Sequence, residues 1–134
     1  GECVAKVRAQ HGSNTAIWEE FTTCTNAFEK VIEDDGDPRA VIGENQRLLE
    51  YIGVVPIPSA RFVAAVEETG GAAKISGAGA VSGDNGGAMV VYQPDHDAMV
   101  ALMSKYPDRQ WDRLQIADEG ARLTPAQPVM AAAQ

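Results

Sequence analysis

The chain has 134 residues, 11 Lys and Arg against 19 Asp and Glu, a formal net charge of −8 and 45% apolar content. That length fits one domain with a core of its own, and no apolar run approaches the ~18 residues a membrane helix needs. The acidic balance argues against a nucleic-acid partner, which needs a basic face for the phosphates, and the 2 cysteines make no disulfide framework, so a reducing, cytoplasmic setting fits best.

The chain opens Gly1-Glu2-Cys3-Val4 without an initiator Met or a signal-type segment, and Cys3, Val4 and Val7 already follow a helical pattern. It therefore reads as a piece cut from a longer protein. In residues 16–33, Ile17, Phe21, Cys24, Phe28 and Val31 are spaced as one helical stripe, widened by Trp18 and Ile32. Asn14 or Thr15 is the expected cap and Gly36 the expected stop. The next helix opens with Asp37 as N-cap and Pro38 in its first turn. Its stripe is Val41, Asn45, Leu48 and Ile52, flanked by Ile42 and Leu49, and Gly53 ends it. After Pro56 and Pro58, Ser59 is expected to cap a third helix carrying Phe62, Val63 and Val66, closed by Gly70-Gly71.

Beyond Gly71 the pattern changes. Residues 72–76 and 88–92 read as strands, the second with the apolar run Met89-Val90-Val91. Asp95 is the expected cap of a helix that turns Met99, Val100, Leu102 and Met103 inward until Pro107. Leu114 and Ile116 alternate as a strand, Asp118-Glu119-Gly120 reads as a tight turn, and residues 121–123 as a returning strand. Residues 124–134, with two prolines and no alternation, read as a flexible tail. Helices and antiparallel strands segregated along the chain make an α+β sandwich.

Five glycines fall within residues 77–87, between the first two strands. A hairpin connection usually takes two to five residues, and glycine costs backbone entropy wherever it stands. Two readings are open. Successive N–H groups in a Gly-rich turn form a nest for anions; alternatively the segment is a wide bulged hairpin with Asn85-Gly86 at its tip. It is not a Walker A loop, because no Lys follows the glycines. Nor is it a dinucleotide fingerprint, because Gly83 comes one residue late and a strand, not a helix, follows.

Lys74-Ile-Ser-Gly-Ala-Gly79, the continuing Gly-rich loop and the apolar strand after it resemble the third signature of the GHMP kinases. Asn45-Gln-Arg-Leu-Leu-Glu-Tyr-Ile-Gly-Val54 resembles the helix and Gly-Val exit of the mevalonate kinases in that superfamily, and Ile116-Ala-Asp-Glu-Gly-Ala-Arg-Leu123 is similar to its closing hairpin. The three keep their order over residues 1–123. The resemblance implies a C-terminal domain, a ferredoxin-like α/β sandwich with antiparallel sheet and additional N-terminal helices, in a two-domain cytoplasmic kinase. Its partners would be a small alcohol, most simply mevalonate on the way to isoprenoid precursors, and an N-terminal kinase domain. ATP and Mg²⁺ would be held mainly by that domain. No catalytic residue and no metal ligand is assigned here, and the piece alone is expected to be inactive.

The phosphate- or substrate-binding candidates are Gly77, Ala78, Gly79, Ala80, Ser82, Asn85 and Asn45. N–H groups of Gly77, Ala78 and Gly79 would hold the acceptor or the travelling phosphoryl group, and a Gly79 substitution is expected to lower turnover with the fold intact. Ala80, Val81, Ser82, Asp84 and Asn85 interrupt the family's glycine run, which leaves Ser82 and Asn85 side chains as alternative donors. Asp84 is either a Mg²⁺ ligand or, the commoner role of a lone carboxylate in a Gly-rich turn, a solvated turn former. Asn45, on the apolar stripe, either enters the acceptor pocket or bonds a neighbouring helix or loop. Lys74 reads as solvated, Cys3, Cys24 and Trp18 as core, and His11 and His96 as surface residues without metal-ligand spacing. Arg122 either pairs with an acid or faces a ligand. Other readings are a homoserine or phosphomevalonate kinase, a stand-alone ferredoxin-like module whose loop binds an anion, and a domain whose helical face forms a homodimer.

Overall fold

A computed structural model describes residues 1–117, 119–123 and 125. In chain order it comprises α1 (Glu2–His11), α2 (Thr15–Glu33), α3 (Arg39–Tyr51), α4 (Ile57–Glu68), β1 (Ala72–Ile75), β2 (Met89–Tyr92) and α5 (His96–Met103). The α+β class is as expected. β1 and β2 pair antiparallel with Ala73 opposite Val91 and Ile75 opposite Met89. Among the described residues no helix is long and apolar enough to cross a membrane.

The helix ends follow their local chemistry. Asn14 caps α2, its side chain accepting from the Ile17 N–H at 3.4 Å. Asp95 caps α5, accepting from Asp97 and Ala98. Helices α2, α3 and α4 all stop in the same way, with a left-handed residue whose neighbours' N–H groups return to the last turn. Gly53 and Gly70 supply that conformation after α3 and α4, and Asp35, with φ 49°, supplies it after α2 in place of the expected Gly36. Gly36 donates to Val31, Val54 to Leu49 and Gly71 to Val66. The starts of α3 and α4 differ from expectation. Pro38 is the N-cap of α3, with Asp37 accepting from the Arg39 N–H at 3.0 Å. Helix α4 begins at Ile57 behind Pro56, so Ser59 lies inside its first turn and is buried. Proline needs no donor partner there, and the helix starts on the prolines rather than after them.

Two apolar clusters hold these elements. One joins Phe62, Val63 and Val66 of α4, Ala73 of β1, and Leu102 and Met103 of α5. Tyr106 meets the Phe62 ring edge-on at 5.0 Å, and the Arg109 guanidinium lies 4.9 Å over the same ring. The other joins Ile17 and Cys24 of α2, Leu48 and Ile52 of α3, and Val54. Val100, expected inside, is 46% exposed on the outer side of α5. Trp18 is half-exposed too; it stacks on Phe21 and donates its indole N–H to the His11 carbonyl at 2.9 Å, which satisfies its polar end at the surface.

The expected hairpin near the C-terminus does not form among the described residues. Residues 111–117 and 119–123 contain no strand, and Leu114, Ile116 and Leu123 are 84%, 95% and 100% exposed. Alternation specifies a strand only where one face has something to bury against, and these side chains meet no such surface. Arg122 pairs with Glu119 at 3.0 Å in the open. Asp118, the first residue of the expected turn, and all but Pro125 of the expected tail lie outside the described residues.

Candidate functional site

The residues between β1 and β2 form a loop with a packed base and an open tip. Ser76 and Gly77 both donate to the Ala88 carbonyl, at 2.8 and 3.2 Å, closing the ladder where the strands part. Gly87 donates to Ala78 at 2.7 Å, so the two arms cross at close range. A Cβ at Gly87 would lie 2.5 Å from the Ala78 nitrogen, and one at Gly77 would lie 2.9 Å from the Ala88 nitrogen. Main chain this close to main chain admits glycine alone.

The other wall of the base is the exit of α3. The turn through Gly53 leaves Val54 buried beside Leu48 and Ile52, with its carbonyl turned to the loop. That carbonyl accepts from the Ala80 N–H at 2.9 Å. A Cβ at Gly79 would come within 2.6 Å of the same oxygen and 2.8 Å of the Val54 Cβ. The Cys3 thiol donates to the Gly79 carbonyl at 3.3 Å, tying α1 to the loop. Gly86 turns back over the start of α4, where a Cβ would meet the Ser59 hydroxyl at 2.9 Å and the Ile75 side chain at 3.1 Å. The loop therefore lies along the α3–α4 connection at its base, while Ser82, Gly83, Asp84 and Asn85 at its tip are exposed.

Three main-chain donors were expected at the base, those of Gly77, Ala78 and Gly79, with Ala80 as a further binding candidate; the four residues divide in two. Gly77 and Ala80 spend their N–H groups inside the protein. Ala78 and Gly79 meet no protein acceptor among the described residues; Ala78 is exposed and Gly79 half-buried. A pair of adjacent open amides on a glycine-fixed backbone suits an anionic oxygen. The steric position of Gly79 also corrects one expectation. A side chain there must displace Val54 or the loop, so a substitution acts on packing as well as on any ligand.

Asn45 is half-buried on α3, on the side that meets α2, with its amide beside the Cys24 thiol. Burial pushes that thiol up from its ordinary value, Glu44 adds to the shift, and the Asn45 amide opposes it. The sulfur also donates to the Val41 carbonyl at 3.5 Å. Asn45 shares no hydrogen bond with the loop. The deeply buried amide is its neighbour, Gln46, 2% exposed. Its Oε1 accepts from the Ile75 N–H at 2.9 Å and its Nε2 donates to Glu50 at 2.8 Å. Lys74 is half-buried rather than solvated. Desolvation holds its ammonium below the usual lysine range, and its Nζ donates to the Ile75 carbonyl at 2.7 Å.

Sequence reasoning missed Gln46 and the Cys3 contact, and placed Ser59 before its helix rather than inside it. The Cys3 contact joins residues 76 apart and leaves no local trace. A groove of about 430 Å³ opens beside the loop base between α1, Trp18 and Val54, with Cys3, Val7 and Arg8 also on its walls. Among the described residues no group of three His, Cys, Asp or Glu stands together as a metal site. No family model, no curated protein and no solved structure matches this chain.

Proposed function

We propose that this chain is the ferredoxin-like C-terminal domain of a GHMP-type kinase, with mevalonate as the preferred acceptor, and that residues 77–80 are its contact with the phosphoryl group in flight. One observation carries the reading: the open N–H groups of Ala78 and Gly79, on a backbone whose neighbours are fully committed to the protein. The motif resemblance of residues 45–54 and 74–79 supports it independently.

ATP supplies the phosphoryl group, with Mg²⁺ neutralising its charge. Two successive N–H groups without a backbone acceptor among the described residues give this stretch the donor chemistry that a phosphate oxygen takes. What the chain's own residues do is position. Val54 fixes the depth of the loop through Ala80, Ala88 fixes its width through Ser76 and Gly77, and the two free donors are preorganised before any ligand arrives. Their N–H groups stabilise negative charge on an oxygen that they need not reorganise to meet.

Coupled-enzyme assays of the whole protein carrying this chain, against mevalonate, homoserine and galactose, test the activity and rank the acceptors. Ala78→Pro removes one donor and is expected to lower kcat by about 10²–10³-fold, with a urea midpoint reported alongside. Wild-type turnover in that variant, or phosphorylation of none of the three alcohols, ends the reading.

A further inference from the structure

We infer that Gln46 is the positioning residue of the glycine-rich loop, holding the last residue of β1 so that the Ala78 and Gly79 amides stand where an anion meets them. Its functional consequence rests on the reading of those amides given above.

β1 has β2 on one side only. The Ile75 N–H, which points away from β2, would be left without a strand partner. Gln46 Oε1 takes that place from α3, at 2.9 Å and in a buried setting. A buried backbone donor must find an acceptor, and here a single side chain from another element provides it. The next two N–H groups, on Ser76 and Gly77, are both spent on one carbonyl, that of Ala88. Ladder pairing thus ends at the residue Gln46 grips. Ala78 follows Ile75 by three residues, across the bend at Gly77. A displacement at Ile75 therefore acts on the open amides through the Ser76 and Gly77 bonds to Ala88, against the pins that Gly87 and Val54 supply further along.

Glu50 decides which way Gln46 faces. An amide offers a donor at one end and an acceptor at the other, and a carboxylate only accepts. The contact of Nε2 with Glu50 at 2.8 Å consequently turns Oε1 toward Ile75. The pair forms a relay from an exposed carboxylate at the end of α3 to the root of the loop.

The test is residue-resolved amide hydrogen exchange on the chain, with two variants and a control. Gln46→Met keeps the length and removes the acceptor. Glu50→Lys changes an exposed residue, leaves the core volume alone and reverses the polarity that orients Gln46, so it guards against a simple folding failure. Val63→Ala weakens the other apolar cluster and serves as the control for general destabilisation. In both test variants Ile75, Ser76, Gly77 and Ala80 are expected to exchange at least tenfold faster relative to Phe21 and Cys24 of α2, which lie outside the cluster of Val63, and in the control that ratio stays at its wild-type value. Unchanged ratios in both test variants, or an equal change in Val63→Ala, overturn the positioning role. Inorganic pyrophosphate then probes the consequence. Saturable shifts of the Ala78 and Gly79 amides, at least fivefold weaker in affinity for Gln46→Met, support it, and equal affinity in the variant overturns it. No shift in the wild type removes the anion reading, and the exchange ratios still decide what Gln46 does to the loop.

Discussion

The loop between β1 and β2 and residues 111–117 and 119–123 are two long segments without regular structure among the described residues, and their chemistry is inverted. The first is rich in glycine and polar residues, yet its base is packed against Val54, Ala88 and Ser59 at distances that leave no room for a methyl group. The second carries Leu114, Ile116 and Leu123, and all three stand in solvent. Composition alone would have assigned burial the other way. What separates the two segments is the presence of committed neighbours. The loop is pinned at both ends by paired strands and flanked by a helix exit that lends it a carbonyl, whereas Leu114, Ile116 and Leu123 find no such partner among the described residues.

Substitutions can test that contrast in order of expected effect. Gly87→Ala and Gly79→Ala force a Cβ against backbone, and each is expected to cost about 2–3 kcal/mol in urea unfolding, as overpacking of a tight site does. A loss below 0.5 kcal/mol at both would mean that the base is not the rigid unit described. Gly83→Ala has open space around it but a φ of +77°, so only backbone strain of about 1 kcal/mol is expected, read from the same unfolding curves. Leu114→Ser and Ile116→Ser should each fall within about 0.5 kcal/mol of wild type. A loss of 2 kcal/mol at either would reveal a burial partner and erase the contrast.

The smallest effect is a slope. Burial raises Cys24 from its ordinary value of 9.0, so above that pH the folded state holds a proton that the unfolded state has lost, and stability falls as pH rises. Burial lowers Lys74 from 10.5, so between its folded value and 10.5 the unfolded state holds the extra proton, and stability rises with pH. The two oppose each other as the pH climbs from 9 toward 10.5. Cys24→Ala removes the falling contribution, and its thermal midpoint should therefore change with a more positive slope than that of wild type across this window. An identical slope would show that the thiol is not the group responsible.

Much of this arrangement was legible beforehand. The stripe through Ile17 and Cys24, the caps at Asn14 and Asp95, the stops at Gly53 and Gly70 and the positions of both strands follow from periodicity and turn chemistry. The buried amide was placed one residue early because α3 is flanked on two sides. A stripe through Val41 and Asn45 describes the face toward α2, but β1 covers a second arc that takes in Ile42 and Gln46. One position along a helix is a rotation of about 100°, enough to exchange a half-buried residue for a fully buried one. Ser59 was misplaced because a proline pair can open a helix as readily as it can precede one. The two glycine readings could not be separated by spacing, since a nest and a tight crossing ask for the same residue; the loop uses glycine for the crossing and still leaves two amides open.

The thiol of Cys3 resting on the Gly79 carbonyl gives the molecule a built-in gauge. Because the first helical turn and the loop base share that hydrogen bond, a swing of the loop frees the half-buried sulfur from its acceptor and a settled loop engages it. The rate at which a small alkylating reagent consumes Cys3 thus reports the loop's position, without a label and without turnover.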